Sequence, residues 1–269
     1  MHSNRDEGLT ANNHDHCWDQ AYKLIRDVNS LLDIVPDLDI FEEEKQLLKA
    51  EASFIRAYTY YALAKRYGGV PMILTKQKYT SEIESLKVPR STEKETWDLA
   101  LSECDTAAKY LPDSWPIGDD RRATKFAALA LKSRVALHAA SVAKFWGRAP
   151  LTGEAVDKKL VGMDAADAVG FYLAVVDASE KIINSGRFEL YGAGENDPAV
   201  AAENYRKLFE NPNIENSEAI FIKRFMAPAS PGKMPVVDFS IPPEIEIDPG
   251  NSFPYQSVLQ QFLPRLRPL

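Results

Sequence analysis

Cysteine, a basic charge excess and long apolar runs are all scarce in this sequence. Two cysteines in 269 residues exclude a disulfide framework and leave no paired-cysteine zinc motif. With 32 Lys and Arg against 39 Asp and Glu, the formal charge is −7. A phosphate backbone wants a net basic face, so non-specific nucleic-acid binding is excluded as the main activity. No uninterrupted stretch of about 18 apolar residues reads as a membrane span. The opening MHSNRDEGLTANNHDHC lacks the apolar core of a signal peptide, so the sequence as it stands shows no export signal. There is no GxSxG, no HExxH and no credible Cys/His pair, so no catalytic constellation is expected.

What is present is ordinary globular material. Hydrophobic residues make up 45% and charged residues 26%, which excludes disorder throughout. The length corresponds to about 1.8 average domains. Five helices are read from apolar periodicity. Trp18, Ala21, Ile25, Val28, Leu32 and Val35 share one face, and Pro36 stops that helix. Leu47, Ala50, Phe54, Ala57, Tyr61 and Ala64 repeat the pattern, ending at Gly68-Gly69. Trp97, Leu101, Cys104, Ala108 and Leu111 follow a capping-box signal, Thr92 with Glu95, and stop before Pro112. The stretch Ala123–Ala140, with Phe126, Leu129, Val135 and Leu137, holds seven alanines in 18 residues. Tyr172, Val175, Ala178 and Ile182 mark the fifth helix, with Gly186 as its C-cap.

The seams alternate large and small residues, as in Phe54/Ala57 and Tyr61/Ala64, so that a neighbouring helix can approach closely. Antiparallel helix pairs of tetratricopeptide type pack this way. The helix starts keep no fixed 34-residue period, so a degenerate stack of pairs fits better than a regular array. Past Gly186, Ala219–Phe225 is expected to be a strand or an extended segment packed on the helices. Nine of the 17 prolines lie between Pro228 and Pro268, so the tail is no single regular element.

Six of these segments, in order, resemble the N-terminal half of the SusD/RagB family of outer-membrane nutrient-uptake lipoproteins. The most specific is Ala50–Ile73, AEASFIRAYTYYALAKRYGGVPMI, which is similar to that family's long helix and its aromatic–Gly–Gly–Val–Pro turn. The others are Trp18–Asn29, Pro89–Pro112, Arg122–Ser141, Ser185–Leu190 and Ser217–Phe221. The resemblance implies a mostly α fold of tetratricopeptide-like antiparallel helix pairs (a SusD-like α superhelix) with an irregular Pro-rich C-terminal segment. The expected divisions are a polar, disordered 1–16, a helical domain 17–225, and 226–269 as the start of an incomplete second half. It implies non-catalytic capture of glycans at the bacterial surface. Delivery would follow to a TonB-dependent, SusC-like transporter, with no cofactor and with membrane contact only through a lipid anchor. Family members carry a lipoprotein signal and run to about twice this length, so a truncated product is expected. The rival reading is an intracellular tetratricopeptide-like interaction adaptor; a glycosidase is a distant third.

Sugars stack on exposed aromatic faces, which makes the loop residues Trp115 and Trp146 the ligand-binding candidates, against packing on their own helix pairs. Trp18 and Trp97 lie on seams and read as core. Tyr58 and Tyr60 are possible transporter contacts, weighed against packing between helices. Arg56 and Glu51 read as an ion pair within one helix or as transporter contacts. His14, Asp15, His16 and Cys17 sit together in a polar terminus, and no metal site is expected there. Glu244, Glu246 and Asp248 alternate with isoleucines and read as solvent-facing charges rather than a glycosidase pair or a Ca²⁺ site. Cys104 lies on a seam and reads as a small buried hydrophobe.

Overall fold

The computed structural model describes residues 17–78, 83–116, 119, 122–148, 151–210 and 217–221. The expectations placed on the N-terminal His14–His16 knot, on Glu244–Asp248 and on the tail from 226 therefore lie outside the described residues. Helices α1 (Cys17–Ile34), α2 (Glu42–Tyr67), α3 (Glu93–Tyr110), α4 (Lys125–Phe145), α5 (Glu154–Asp157), α6 (Asp167–Ile183) and α7 (Pro198–Glu210) follow one another. No strand occurs among the described residues, and the fold is mostly α, as the periodicity requires.

The expected stops of the first three helices are used, whereas α6 is capped by Asn184, two residues before the expected Gly186. Pro36 turns the end of α1 into a short 3-10 turn. Gly68 adopts φ +71° and closes α2 with its N–H on the Ala64 carbonyl, a conformation that favours glycine. At Gly69 the backbone runs so close to Ser91 and Thr92 that a β-carbon would overlap them. Thr92 and Glu95 form the full capping box of α3. Three glutamates open α2, and Lys65 with Arg66 close it, each charge set against the helix dipole.

Each long helix packs chiefly on its neighbour in sequence: α1 on α2, α2 on α3, α3 on α4, α4 on α6. The pairs run antiparallel. Val70, just past α2, donates its N–H to Thr96 at the start of α3, while Glu51 near the α2 start meets Arg122 beyond the α3 end. Across α4 and α6, Phe126 and Ile182 share a cluster at one end, and Lys144 lies over Tyr172 at the other. Alanines at 50, 57, 64, 100, 107, 128, 139 and 143 are buried in these seams and let the backbones approach. Trp97, Tyr60, Ile25 and Leu63 fill the centre. α4 with its following turn is long and apolar enough to cross a membrane by composition, yet 56% of that window is buried inside the fold. Such a helix is a core element, although Leu137 faces outward.

Helix α7 is not anticipated by the sequence reading. Asp197 accepts the Ala199 N–H and Pro198 occupies the first helical position, a sound start signal. Of the Ala219–Phe225 segment, residues 219–221 are described and are not strand; Ile220 joins the Phe126/Leu129 cluster and Phe221 packs edge-on against Phe54.

Candidate functional site

A polar rack on α1 and α2 grips the extended segment that follows α2. Tyr22 donates to the Pro71 carbonyl at 2.8 Å. Asn29 donates to the carbonyls of Ile73 and Thr75, and Arg56 to those of Asn29 (side chain) and Leu74. The Tyr60 hydroxyl accepts from the Ile73 N–H at 2.8 Å and donates to the Ile73 carbonyl. Burial pushes the Tyr60 phenol up to about 12; burial, with Tyr60 beside it, also raises Tyr22. Both stay neutral donors. Arg56 is anchored in turn by Glu103 of α3 at 2.6 Å.

The ion-pair expectation for α2 needs correction. Arg56 and Glu51 do not pair with each other; Arg56 pairs with Glu103, and Glu51 takes both arms of Arg122 at 2.7 Å. Glu51 and Arg122 are 4% and 9% exposed, so this second pair ties the segment before α4 to α2 inside the core. The Trp115 ring covers it, 3.6 Å from the Arg122 guanidinium, and its indole N–H donates to the Ala123 carbonyl. One face and the polar edge of Trp115 are thereby engaged within the protein.

Trp146 begins the turn after α4 and lies flat on Gly162, which leaves no room for a β-carbon. Gly162 has φ +87°, and its N–H donates to the buried Glu93 carboxylate, which also accepts from the Trp97 indole. Trp146 is half-buried, held by backbone on one side. Trp97 is fully buried, as expected, whereas Trp18 is only partly so, packed against Tyr22 and Tyr67.

Tyr60 cannot serve as a surface contact: it is 0% exposed, its hydroxyl consumed by Ile73. The alternative of packing between helices is the one its geometry fits. Tyr58 is half-buried, edge-on to Tyr61 at 6.2 Å. Beside it, Tyr61, His138 and Trp97 build an aromatic floor from α2, α4 and α3, His138 stacked on Trp97 at 5.3 Å. Cys104 is buried, and burial raises its thiol pKa well above the ordinary range; Cys17 is buried as the first residue of α1. Among the described residues no group of three or more His, Cys, Asp or Glu could hold a metal ion.

The sequence reading missed Asn29, Glu93, Glu103 and the Glu51–Arg122 pairing. The available signal was a charged or amide residue falling within the buried arc of an otherwise apolar face.

Residues 1–137 match a SusD-like family described as starch-binding and associating with the outer membrane. SusD-like protein P38 of Formosa agariphila is 31% identical over 121 residues, 45% of this chain and 22% of that protein. A SusD-like protein of Bacteroides fragilis superposes with TM-score 0.59 at 28% identity, over 80% of this chain and 34% of its own. A laminarin-binding SusD-like protein shares the fold, with TM-score 0.55 at 19% identity over 77% and 37%. The chain thus spans between a fifth and two fifths of the length of these relatives. With half of its length matched and the same helical stack, this chain belongs to the SusD-like family.

Proposed function

We propose that this chain is the helical part of a non-catalytic glycan-binding protein at the outer-membrane surface, which passes its ligand to a TonB-dependent, SusC-like transporter. The observation that carries this is the match over residues 1–137 to a family described as starch-binding and associating with the outer membrane. The laminarin-binding relative shares the fold and suggests β-glucan beside starch as test ligands. Binding without chemistry agrees with a sequence that offers no nucleophile–base pair.

Of the two loop tryptophans, Trp146 is the stronger ligand contact. Its ring is fixed from below by Gly162, and stacking on a preordered ring costs little entropy. Trp115 is occupied by Arg122 and Ala123, and contributes chiefly by holding the loop. Tyr58 remains the proposed transporter contact on α2.

Calorimetric titration of the chain with starch and laminarin oligosaccharides, with chromatography of the mixtures, tests the proposal. Saturable binding with intact sugars is expected, and Trp146→Ala weakens it by about two- to tenfold, the value of one aromatic stack. Hydrolysis of either sugar, or no binding to any glycan, refutes it.

A further inference from the structure

Glu93 is the first residue of α3 and is buried, 6% exposed. The position suits a carboxylate. The first N–H groups of a helix have no partner within it, and the helix dipole favours negative charge there. Both the backbone and the side chain of Glu93 are spent on one distant segment. Its N–H donates to the Lys159 carbonyl at 2.9 Å, and its carboxylate accepts from the Gly162 N–H. The other carboxylate oxygen accepts the Trp97 indole N–H at 3.1 Å, which fixes the side chain against a fully buried ring. Glu93 therefore grips residues 159–162 at both ends.

The middle of that segment has a matching seat. The Gly69 N–H donates to the Leu160 carbonyl at 2.7 Å, and a β-carbon at Gly68 would come within 2.5 Å of the same oxygen. The Gly68-Gly69 turn thus receives the segment as well as ending α2. Within the segment Lys159 has φ +52° and Gly162 φ +87°. A lysine holds a left-handed conformation only where its surroundings impose it. Trp146 lies on the far end of this clamped backbone: a β-carbon at Gly162 would fall 2.0 Å from its ring.

We propose that Glu93 is a positioning residue of the glycan site: through Gly162 it fixes the plane and depth of the Trp146 ring on which the sugar stacks. This rests on Trp146 being the ligand contact, and extends that contact to the buried acid beneath it. A ring seated on clamped backbone loses little freedom when a sugar stacks on it, whereas a ring on a loose turn has to be ordered by the ligand. A purely stabilising role for Glu93 would lower the unfolding midpoint and leave the ring in place in the folded protein.

Fluorine NMR of the whole chain labelled with 5-fluorotryptophan tests it. Four tryptophans give four resonances, and Trp146→Phe assigns the one that matters. Glu93→Met keeps the side-chain length and removes both acceptors. The Trp146 resonance is expected to shift or broaden while that of Trp115 stays. Affinity for starch or laminarin oligosaccharides falls by about two- to tenfold, the cost of ordering one side chain on binding. Added to Trp146→Ala, Glu93→Met costs no further affinity, because its effect runs through the ring. Circular dichroism checks folding. If the methionine variant does not fold, Glu93→Asp is read in the same way, since it keeps the charge but is too short to reach Gly162 and Trp97 together. An unmoved Trp146 resonance in the folded variant, or losses that add in the double variant, overturns the proposal. Affinity lost in Trp146→Ala but kept in the Glu93 variant overturns it and leaves Trp146 as a contact. Affinity unmoved by Trp146→Ala removes the contact itself, and the positioning role with it.

Discussion

Replacing Glu51 with Gln removes one charge from the most enclosed ion pair described here and leaves its volume almost unchanged. Arg122 would then keep a buried guanidinium without its two-point acceptor; the Asp119 carboxylate lies 3.7 Å away and is 40% exposed. The two 2.7 Å bonds from Nε and Nη2 to the carboxylate lose their anionic acceptor, while the covering Trp115 ring keeps water away from one face. Breaking one side of a buried pair costs about 3–5 kcal/mol, because an uncompensated charge stays behind. At about 2–4 °C per kcal/mol for a chain of this size, the melting temperature falls by about 6–20 °C. Urea unfolding followed by tryptophan fluorescence suits the measurement, since Trp115 reports directly on the Arg122 contact. Glu51→Met with Arg122→Met should recover most of the loss, as apolar replacement of a whole buried pair is often neutral or stabilising. A single-variant cost below about 1 kcal/mol, or a double variant no more stable than Glu51→Gln, refutes the claim that this pair closes the core between α2 and the segment before α4.

The α3 capping box gives a second expectation: Thr92→Ala costs about 0.5–2 kcal/mol by urea unfolding, and Thr92→Ser restores most of it. The Glu95 carboxyl is held below its ordinary value of 4.5 by the Thr92 N–H and hydroxyl. A depressed carboxyl contributes stability that is full above its unfolded value and lost as pH falls through the folded one. The stability lost on acidification below that value should therefore shrink in Thr92→Ala; an unchanged acid limb contradicts the assignment. Cys17 and Cys104 are both fully buried, and burial raises the Cys104 thiol. Native protein should leave a thiol reagent such as dithionitrobenzoate almost unreacted and release two equivalents in denaturant, whereas rapid native labelling means that α1 or α3 opens far more readily than its packing indicates.

Apolar periodicity made α1 to α4 and α6 legible, because a buried stripe recurs every three or four residues and punctuation such as Pro36, Gly68-Gly69 and Thr92/Glu95 acts locally. It could not pair Glu51 with Arg122, 71 residues apart, since counting apolar positions treats a charge in the buried arc as noise. The same bias hid α7, whose start lies in Asp197 and Pro198 rather than in a deep apolar face: Val200 and Tyr205 remain exposed. It left Tyr60 open between packing and a surface contact, because nothing local reveals that a hydroxyl will be met by the Ile73 backbone from a segment folded back across the helix.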